Sequence, residues 1–258
     1  GRAAAADAGC TYASELLAAS TSPTAAAFEE KAQHTMANRY ETEGDRYCAE
    51  AAKAMKAWFT SKDTKNENAA DLYLRGAKQY TLGKLYIKAG QTFEKAADHR
   101  ASLSDFDTAR LLHDAAKAYK NEDLNLAKAA FEKSIAVFEK SNKFLNAAKL
   151  SRELAELLER DANPKEAVDF YEQAVEYFLA EDNKAQASPC LEKIAFLAGE
   201  SKDYKKAVAT FERIADVCME KKLTSFNAKK HWFSALLCVL ADGDTVNAAE
   251  KLRNYKGK

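Results

Sequence analysis

Apolar residues recur three and four positions apart through most of this 258-residue chain, the interval that lines one face of an α-helix. In Ala167-Val168-Tyr171-Ala174-Val175-Phe178, and again in Ala207-Val208-Phe211-Ile214-Ala215-Cys218, they form one buried stripe per helix. Small residues stand beside large ones, so knobs on one helix meet holes on the next. Polar turns divide the stripes, and the pattern predicts helices over about 69–82, 85–100, 105–120, 123–140, 143–160, 164–180, 183–199, 203–220, 225–241 and 245–256. Asn163-Pro164 marks a helix start, since proline's missing N–H is not needed at the first helical position. Asp123 and Asp203 stand where N-caps are wanted. The connections are short, about two to six residues, which makes consecutive helices antiparallel neighbours.

Upstream the pattern is less regular. Phe28, Ala32, Met36 and Tyr40 make a stripe at four-residue intervals, Gly44 is a candidate interruption, and Tyr47-Ala51-Ala54-Trp58 resumes the spacing. Thr60 to Asn68 is wholly polar and reads as a loop. Residues 1–24, rich in Ala, Ser and Thr with one Pro, read as a loosely ordered segment ahead of a helical array over 25–258.

The array repeats. Phe93-Glu94-Lys95-Ala96, Phe131-Glu132-Lys133-Ser134, Tyr171-Glu172-Gln173-Ala174 and Phe211-Glu212-Arg213-Ile214 share one phrase at spacings of 38, 40 and 40. The turns Asn121-Glu122-Asp123, Asp161-Ala162-Asn163, Ser201-Lys202-Asp203 and Ala241-Asp242-Gly243 keep the same beat. A helical period of about 40 predicts an all-α fold. Its architecture is a right-handed superhelical solenoid of antiparallel, tetratricopeptide-like hairpins, each touching only its neighbours. Helices of 15 to 18 residues run roughly 22–27 Å, longer than those of the tetratricopeptide unit. The phrase fades at Leu252, 41 residues after Phe211, and no polar capping helix is visible before Lys258, so the chain reads as a fragment.

Charge is balanced, 39 basic against 39 acidic residues, which argues against a nucleic-acid footprint. Five widely spaced cysteines, Cys10, Cys48, Cys190, Cys218 and Cys238, suit reduced, mostly buried thiols of a cytoplasmic protein. No secretory signal is recognisable, and the longest apolar run, Phe233 to Ala241, is too short to span a membrane. Glycine-rich phosphate loops, H-E-x-x-H, C-x-x-C and G-x-S-x-G are all missing, and the four histidines are scattered. The expectation is therefore a protein that grips another protein, not an enzyme, with no cofactor and no metal. Glu94, Glu132, Glu172 and Glu212 recur with the aromatics and read as structural or solvating.

Two groups could carry binding. Lys149 and Lys229 are 80 residues apart, two periods, and should point the same way from the first helices of hairpins two apart. Position 189 between them is proline, but Lys193 lies one turn on and covers the same strip, while Lys84 and Lys143 fall in turns nearby. Either these are ordinary solvated lysines or they form a basic ridge for an acidic, elongated partner, with salt-sensitive binding. Trp58 and Phe59 either plug the open top of the first hairpin or enter a bilayer interface.

Asn227-Ala228-Lys229-Lys230-His231-Trp232-Phe233-Ser234-Ala235-Leu236-Leu237-Cys238, Lys165-Glu166-Ala167-Val168-Asp169-Phe170-Tyr171-Glu172-Gln173-Ala174 and Asn142-Lys143-Phe144-Leu145-Asn146-Ala147-Ala148-Lys149 resemble the soluble NSF attachment proteins (SNAPs), alpha type more than gamma. The resemblance runs from about Ala49 to Lys258. It implies a twisted sheet of hairpins with a C-terminal bundle, coating the four-helix SNARE complex and recruiting the hexameric ATPase NSF for its disassembly in vesicle fusion. The implied protein is a cytoplasmic, peripherally membrane-associated adaptor. The family's SNARE-facing basic residues align with Lys84, Lys143, Lys149, Lys193 and Lys229. One further basic position of the family falls on Pro189. Its membrane loop aligns with Trp58-Phe59-Thr60-Ser61-Lys62-Asp63, where only the two aromatics are kept, implying weaker insertion. The bundle that engages NSF would lie beyond Lys258, implying SNARE binding with little stimulation of NSF. The alternative is a tetratricopeptide co-chaperone or general peptide clamp, which requires a period of about 34 residues.

Overall fold

The computed structural model describes residues 23–220 and 224–257. Eleven helices occur among the described residues: α1 (Pro23–Ala54), α2 (Lys62–Leu82), α3 (Tyr86–Arg100), α4 (Asp105–Tyr119), α5 (Leu124–Lys140), α6 (Phe144–Arg160), α7 (Pro164–Ala180), α8 (Lys184–Glu200), α9 (Tyr204–Met219), α10 (Ser225–Ala241) and α11 (Thr245–Lys256). The expected loose segment 1–24 lies outside the described residues except for Pro23 and Thr24, which open α1. Two compact units are present: 1–103 with 117–124, and 104–116 with 125–258.

In the second unit the period has a simple origin. Helices α5, α6, α7 and α8 each hold 17 residues. Three-residue connections follow them, so one helix and its turn take 20 residues and a hairpin takes 40. The middle residue of each turn adopts the left-handed conformation: Asn142 (φ 54°), Ala162 (φ 57°), Asp182 (φ 52°) and Lys202 (φ 62°). That reversal lets the next N–H reach back to the last helical turn, from Lys143 to the Phe138 carbonyl (2.8 Å), Asn163 to Leu158 (3.0 Å), Asn183 to Phe178 (2.8 Å) and Asp203 to Ala198 (2.8 Å). The same residues then start the following helix. The Asp203 carboxylate accepts from the Lys206 N–H at 3.1 Å, the Asn183 side chain accepts from Gln186, and Pro164 opens α7.

The recurring aromatics occupy equivalent buried places in the second helix of each hairpin. Phe131, Tyr171 and Phe211 are 0%, 1% and 3% exposed in the second unit, and Phe93 is buried in the first. Alanines flank them, among them Ala127, Ala130, Ala167, Ala174, Ala207 and Ala215, all fully covered. Small side chains at these places let neighbouring helices approach while the rings fill the space between layers.

In the first unit, α1 packs on α2 and α2 on α3. Three expectations change there. The polar stretch 60–68 is not a loop: Ser61 caps α2 by accepting from the Thr64 N–H at 3.2 Å, and the helix begins at Lys62. Its early turns are mostly solvated, so no apolar stripe marks them, and the buried Asn66 is held by Ser102 and His99. Gly44 does not interrupt α1, which runs through it for 32 residues. The glycine is instead a packing notch, because a Cβ there would lie 2.6 Å from the Tyr80 ring. Thirdly, α1 ends at Ala54, leaving Trp58 and Phe59 in the α1–α2 linker at 86% and 97% exposure, where they plug nothing.

Gly90 on α3 forms a second notch, because a Cβ there would lie 2.3 Å from the Tyr119 ring. Tyr119 is buried and its hydroxyl donates to Glu94 at 2.8 Å, so the ring has no free rotamer to yield into. Gly90→Ala should therefore destabilise the protein by about 1–3 kcal/mol, overpacking outweighing a helix-propensity gain of about 1 kcal/mol. Gly199→Ala is the control: no atom lies within 4 Å of its Cβ position, so only the propensity gain applies. Thermal unfolding of the two variants should move in opposite directions.

Candidate functional site

In the second unit the first helices of successive hairpins, α4, α6, α8 and α10, are joined by polar contacts between residues about one period apart. His113 Nε2 meets Glu153 at 2.8 Å, Arg152 donates to Gln186 at 2.8 Å, Lys193 pairs with Glu159 at 2.7 Å, and His231 Nε2 lies 3.5 Å from Glu192. The second helices carry a matching row. Lys128 pairs with Glu166, Lys206 with Glu172 at 2.7 Å, and Lys251 with Glu212 at 2.6 Å. Three of the recurring glutamates thus have structural bonds, since Glu94 in the first unit also accepts from Tyr119. Glu132 sits 3.9 Å from Lys128 within its own helix. Half-exposed pairs of this kind add about 0.2–1 kcal/mol each, so the buried stripes, not these rows, hold the stack together.

Local electrostatics follow from these contacts. Burial by itself would raise the Glu159 carboxyl, but hydrogen bonds from Lys193 and Tyr171 outweigh it and hold the group below the ordinary range. Glu159 is therefore a stable anion and Lys193 its fixed counter-charge. Burial pushes His231 down against the opposing pull of Glu192, so the ring is neutral near pH 7. Of the described cysteines only Cys190 is fully buried, its thiol raised by burial to about 11. Cys48, Cys218 and Cys238 are free and half-buried, so the expectation of mostly buried thiols holds for one of the four.

Positions 149 and 189 are exposed at the same register, as the sixth residues of α6 and α8, but the step from α9 to α10 takes 21 residues instead of 20, so Lys229 is exposed one position out of that register and the exposed Lys230 takes the equivalent place. Lys149, Pro189 and Lys229 each follow a more deeply covered neighbour: Ala148, Ser188 and Ala228. Lys149 and Lys229 have no hydrogen bond or ion pair among the described residues. Lys193 is 49% exposed but already engaged with Glu159. Lys143 precedes the first turn of α6, its ammonium 5.8 Å from the centre of the Phe106 ring. These four lysines belong to the second unit. Lys84 belongs to the first, exposed in the α2–α3 turn in a left-handed conformation (φ 59°).

Sequence reasoning missed the residues beside them. Arg152 lies one turn from Lys149 and lines a groove of about 250 Å³ with Glu156, Pro189, Glu192, Lys193 and Phe196. Lys229 lines a larger apolar groove of about 700 Å³ with Phe226, Trp232, Phe233, Leu236, Leu252 and Tyr255. Phe196 and Phe233 are more than half exposed. Their sequence signal is an aromatic one turn from a strip lysine and off the buried stripe. The face is thus mixed, with lysines and aromatics set among glutamates.

Among the described residues no three His, Cys, Asp or Glu side chains cluster as a metal ion would need, and no helix is long and apolar enough to cross a membrane. Stacked hairpins of about 40 residues that present unpaired lysines on their first helices define a helical-repeat scaffold for binding other macromolecules. Residues 35–258 match the family described as "SNAP: Soluble NSF attachment protein", and the chain belongs to that family. It is similar to the vesicular-fusion protein SEC17 of Komagataella phaffii, 34% identical over 82% of this chain and 72% of the relative. It is 31% identical to the beta-soluble NSF attachment protein of Bos taurus, over 84% of this chain and 75% of the relative. Identity to the alpha-soluble NSF attachment protein of Vitis vinifera is 29%, over 83% and 74% respectively.

Proposed function

We propose that this SNAP-family protein is an adaptor of vesicle fusion that binds the assembled SNARE four-helix bundle and presents it to the ATPase NSF. The observation that carries the reading is the pair Lys149 and Lys229, exposed in the early turns of the first helices of two hairpins and engaged by no carboxylate among the described residues. Lysines left unneutralised on a rigid scaffold are free to meet an acidic coiled coil. Lys143 and, in the first unit, Lys84 supplement them. Lys193 contributes less net field, since Glu159 offsets it. Phe196 and Phe233 give the face apolar anchors beside the charges. The adaptor's part is geometric and electrostatic: it holds the bundle while NSF hydrolyses ATP. Trp58 and Phe59 would make a shallow contact with the membrane from its cytoplasmic side.

The test is binding to an assembled, membrane-free SNARE bundle, compared with short acidic C-terminal peptides in extended form. The expected result is preference for the bundle, weakening as salt rises from low to physiological strength. Capture of the extended peptides in preference to the bundle would replace this reading with a tetratricopeptide-type peptide clamp.

A further inference from the structure

The sixth places of α6, α8 and α10 are held by Lys149, Pro189 and Lys230. Both lysines are exposed, and neither ammonium has an ion pair among the described residues. The middle place is exposed as well, but its proline leaves a gap in the row of charge.

Arg152 reaches into that gap from the neighbouring helix. It stands one turn beyond Lys149 on α6, and its Nη1 crosses to α8 to donate to the Gln186 side chain at 2.8 Å. Gln186 precedes Pro189 by one turn, and Arg152 and Pro189 line the same groove of about 250 Å³. The thiol of Cys190, next to the proline, feels the same charge: burial raises it, and the Arg152 guanidinium pulls it back down. Lys193, the other cation of the groove, is neutralised by Glu159 at 2.7 Å. The carboxylate contact of Arg152 is looser, its Nε lying 3.8 Å from Glu156. Gln186 is a neutral acceptor, so it fixes the place of the guanidinium without cancelling its charge. The guanidinium has five donors in a rigid fork, which leaves others for a ligand.

We propose that Arg152 is a specificity-determining residue of the partner-binding face: it supplies the cation that position 189 lacks, so that Lys149, Arg152 and Lys230 present a continuous row of positive charge from α6 to α10. The inference rests on the proposed binding of the SNARE bundle and deepens it, since two of these three residues are new to that site. It also states what the partner must offer. A planar guanidinium can hold a carboxylate through two parallel hydrogen bonds, which an ammonium cannot, so the middle of the row favours an aspartate or glutamate on the partner.

The experiment titrates the full chain against the assembled, membrane-free SNARE bundle at low salt. Three variants are compared with the parent: Arg152→Gln, Arg152→Gln/Pro189→Lys and Lys149→Glu/Lys229→Glu. The expected result is binding about fivefold weaker in Arg152→Gln, and a return to near-parent affinity when Pro189→Lys is added. Position 189 is exposed, and replacing its proline restores a helical N–H, so the double variant should fold like the parent. Parent-like binding by Arg152→Gln, with weak binding by Lys149→Glu/Lys229→Glu, would overturn the role of Arg152 and leave the bundle-binding reading standing. A loss that a lysine at position 189 does not restore would also overturn it, because Arg152 would then act through the fold and not through its charge. Parent-like affinity in all three variants would remove the binding strip, and this inference with it.

Discussion

Reversing Lys149 and Lys229 together, as Lys149→Glu/Lys229→Glu, should weaken binding to assembled SNARE bundles about a hundredfold at low salt and leave the melting temperature unchanged. Both halves of that expectation come from the same feature. Neither ammonium has an ionic partner among the described residues, so the substitutions break no internal bond. Both positions are solvent-facing, each beside a buried alanine, Ala148 and Ala228, so no buried side chain is replaced. What changes is a field felt by an approaching acidic partner. Attraction becomes repulsion at two places, and the loss should fall largely on the association rate and shrink as salt screens it. Titration of labelled bundle with parent and variant measures it. Equal affinity at low salt would reject these lysines as the binding strip. Lys193→Glu is a poorer probe, because it would set a second anion 2.7 Å from the place Glu159 now shares with an ammonium. Lost binding there could reflect local disorder as readily as a lost contact.

The helical boundaries and period were legible because each element is short, amphipathic and closed by a turn that fits only one way. Ser141-Asn142-Lys143 and Glu181-Asp182-Asn183 combine a residue that tolerates the left-handed position with a following polar residue at the helix start. Local chemistry and global pitch therefore agree. The failures lie where local pattern and tertiary contact disagree. The first turns of α2 carry no apolar stripe, yet Ser61 and the buried Asn66 order them through hydrogen bonds that composition does not reveal. Gly44 reads as a breaker because propensity is a local quantity, whereas its role is set by the Tyr80 ring on another helix. The candidate face divides in the same way. Periodicity places Lys149, but the extra residue between α9 and α10 puts Lys229 one position out of that register, and the carboxylate that neutralises Lys193 stands 34 residues earlier in the sequence. Only the packing of α6 on α8 reveals that pair.

Phe131→Ala should cost about 3–5 kcal/mol of stability, the largest loss expected from any single truncation in the repeating phrase. The ring is fully covered, with the His113 imidazole 5.4 Å from its centre, and the buried Ser134 one turn on donates to the Ala109 carbonyl at 2.6 Å. These contacts span the α4–α5 hairpin, so the cavity would sit inside one repeat and weaken its interface with the next. In a stack where each unit touches only its neighbours, an interior defect cannot be absorbed by rearrangement elsewhere. The sharper comparison is with Leu252→Ala. Leu252 takes the same place in the phrase, but it is 42% exposed and faces the open groove beside Lys229. Having little buried area to lose, it should cost below about 1 kcal/mol. Urea denaturation of both variants measures the contrast. A loss at 252 matching that at 131 would mean that the groove is covered in solution, and that the last hairpin is an interior layer rather than an open face.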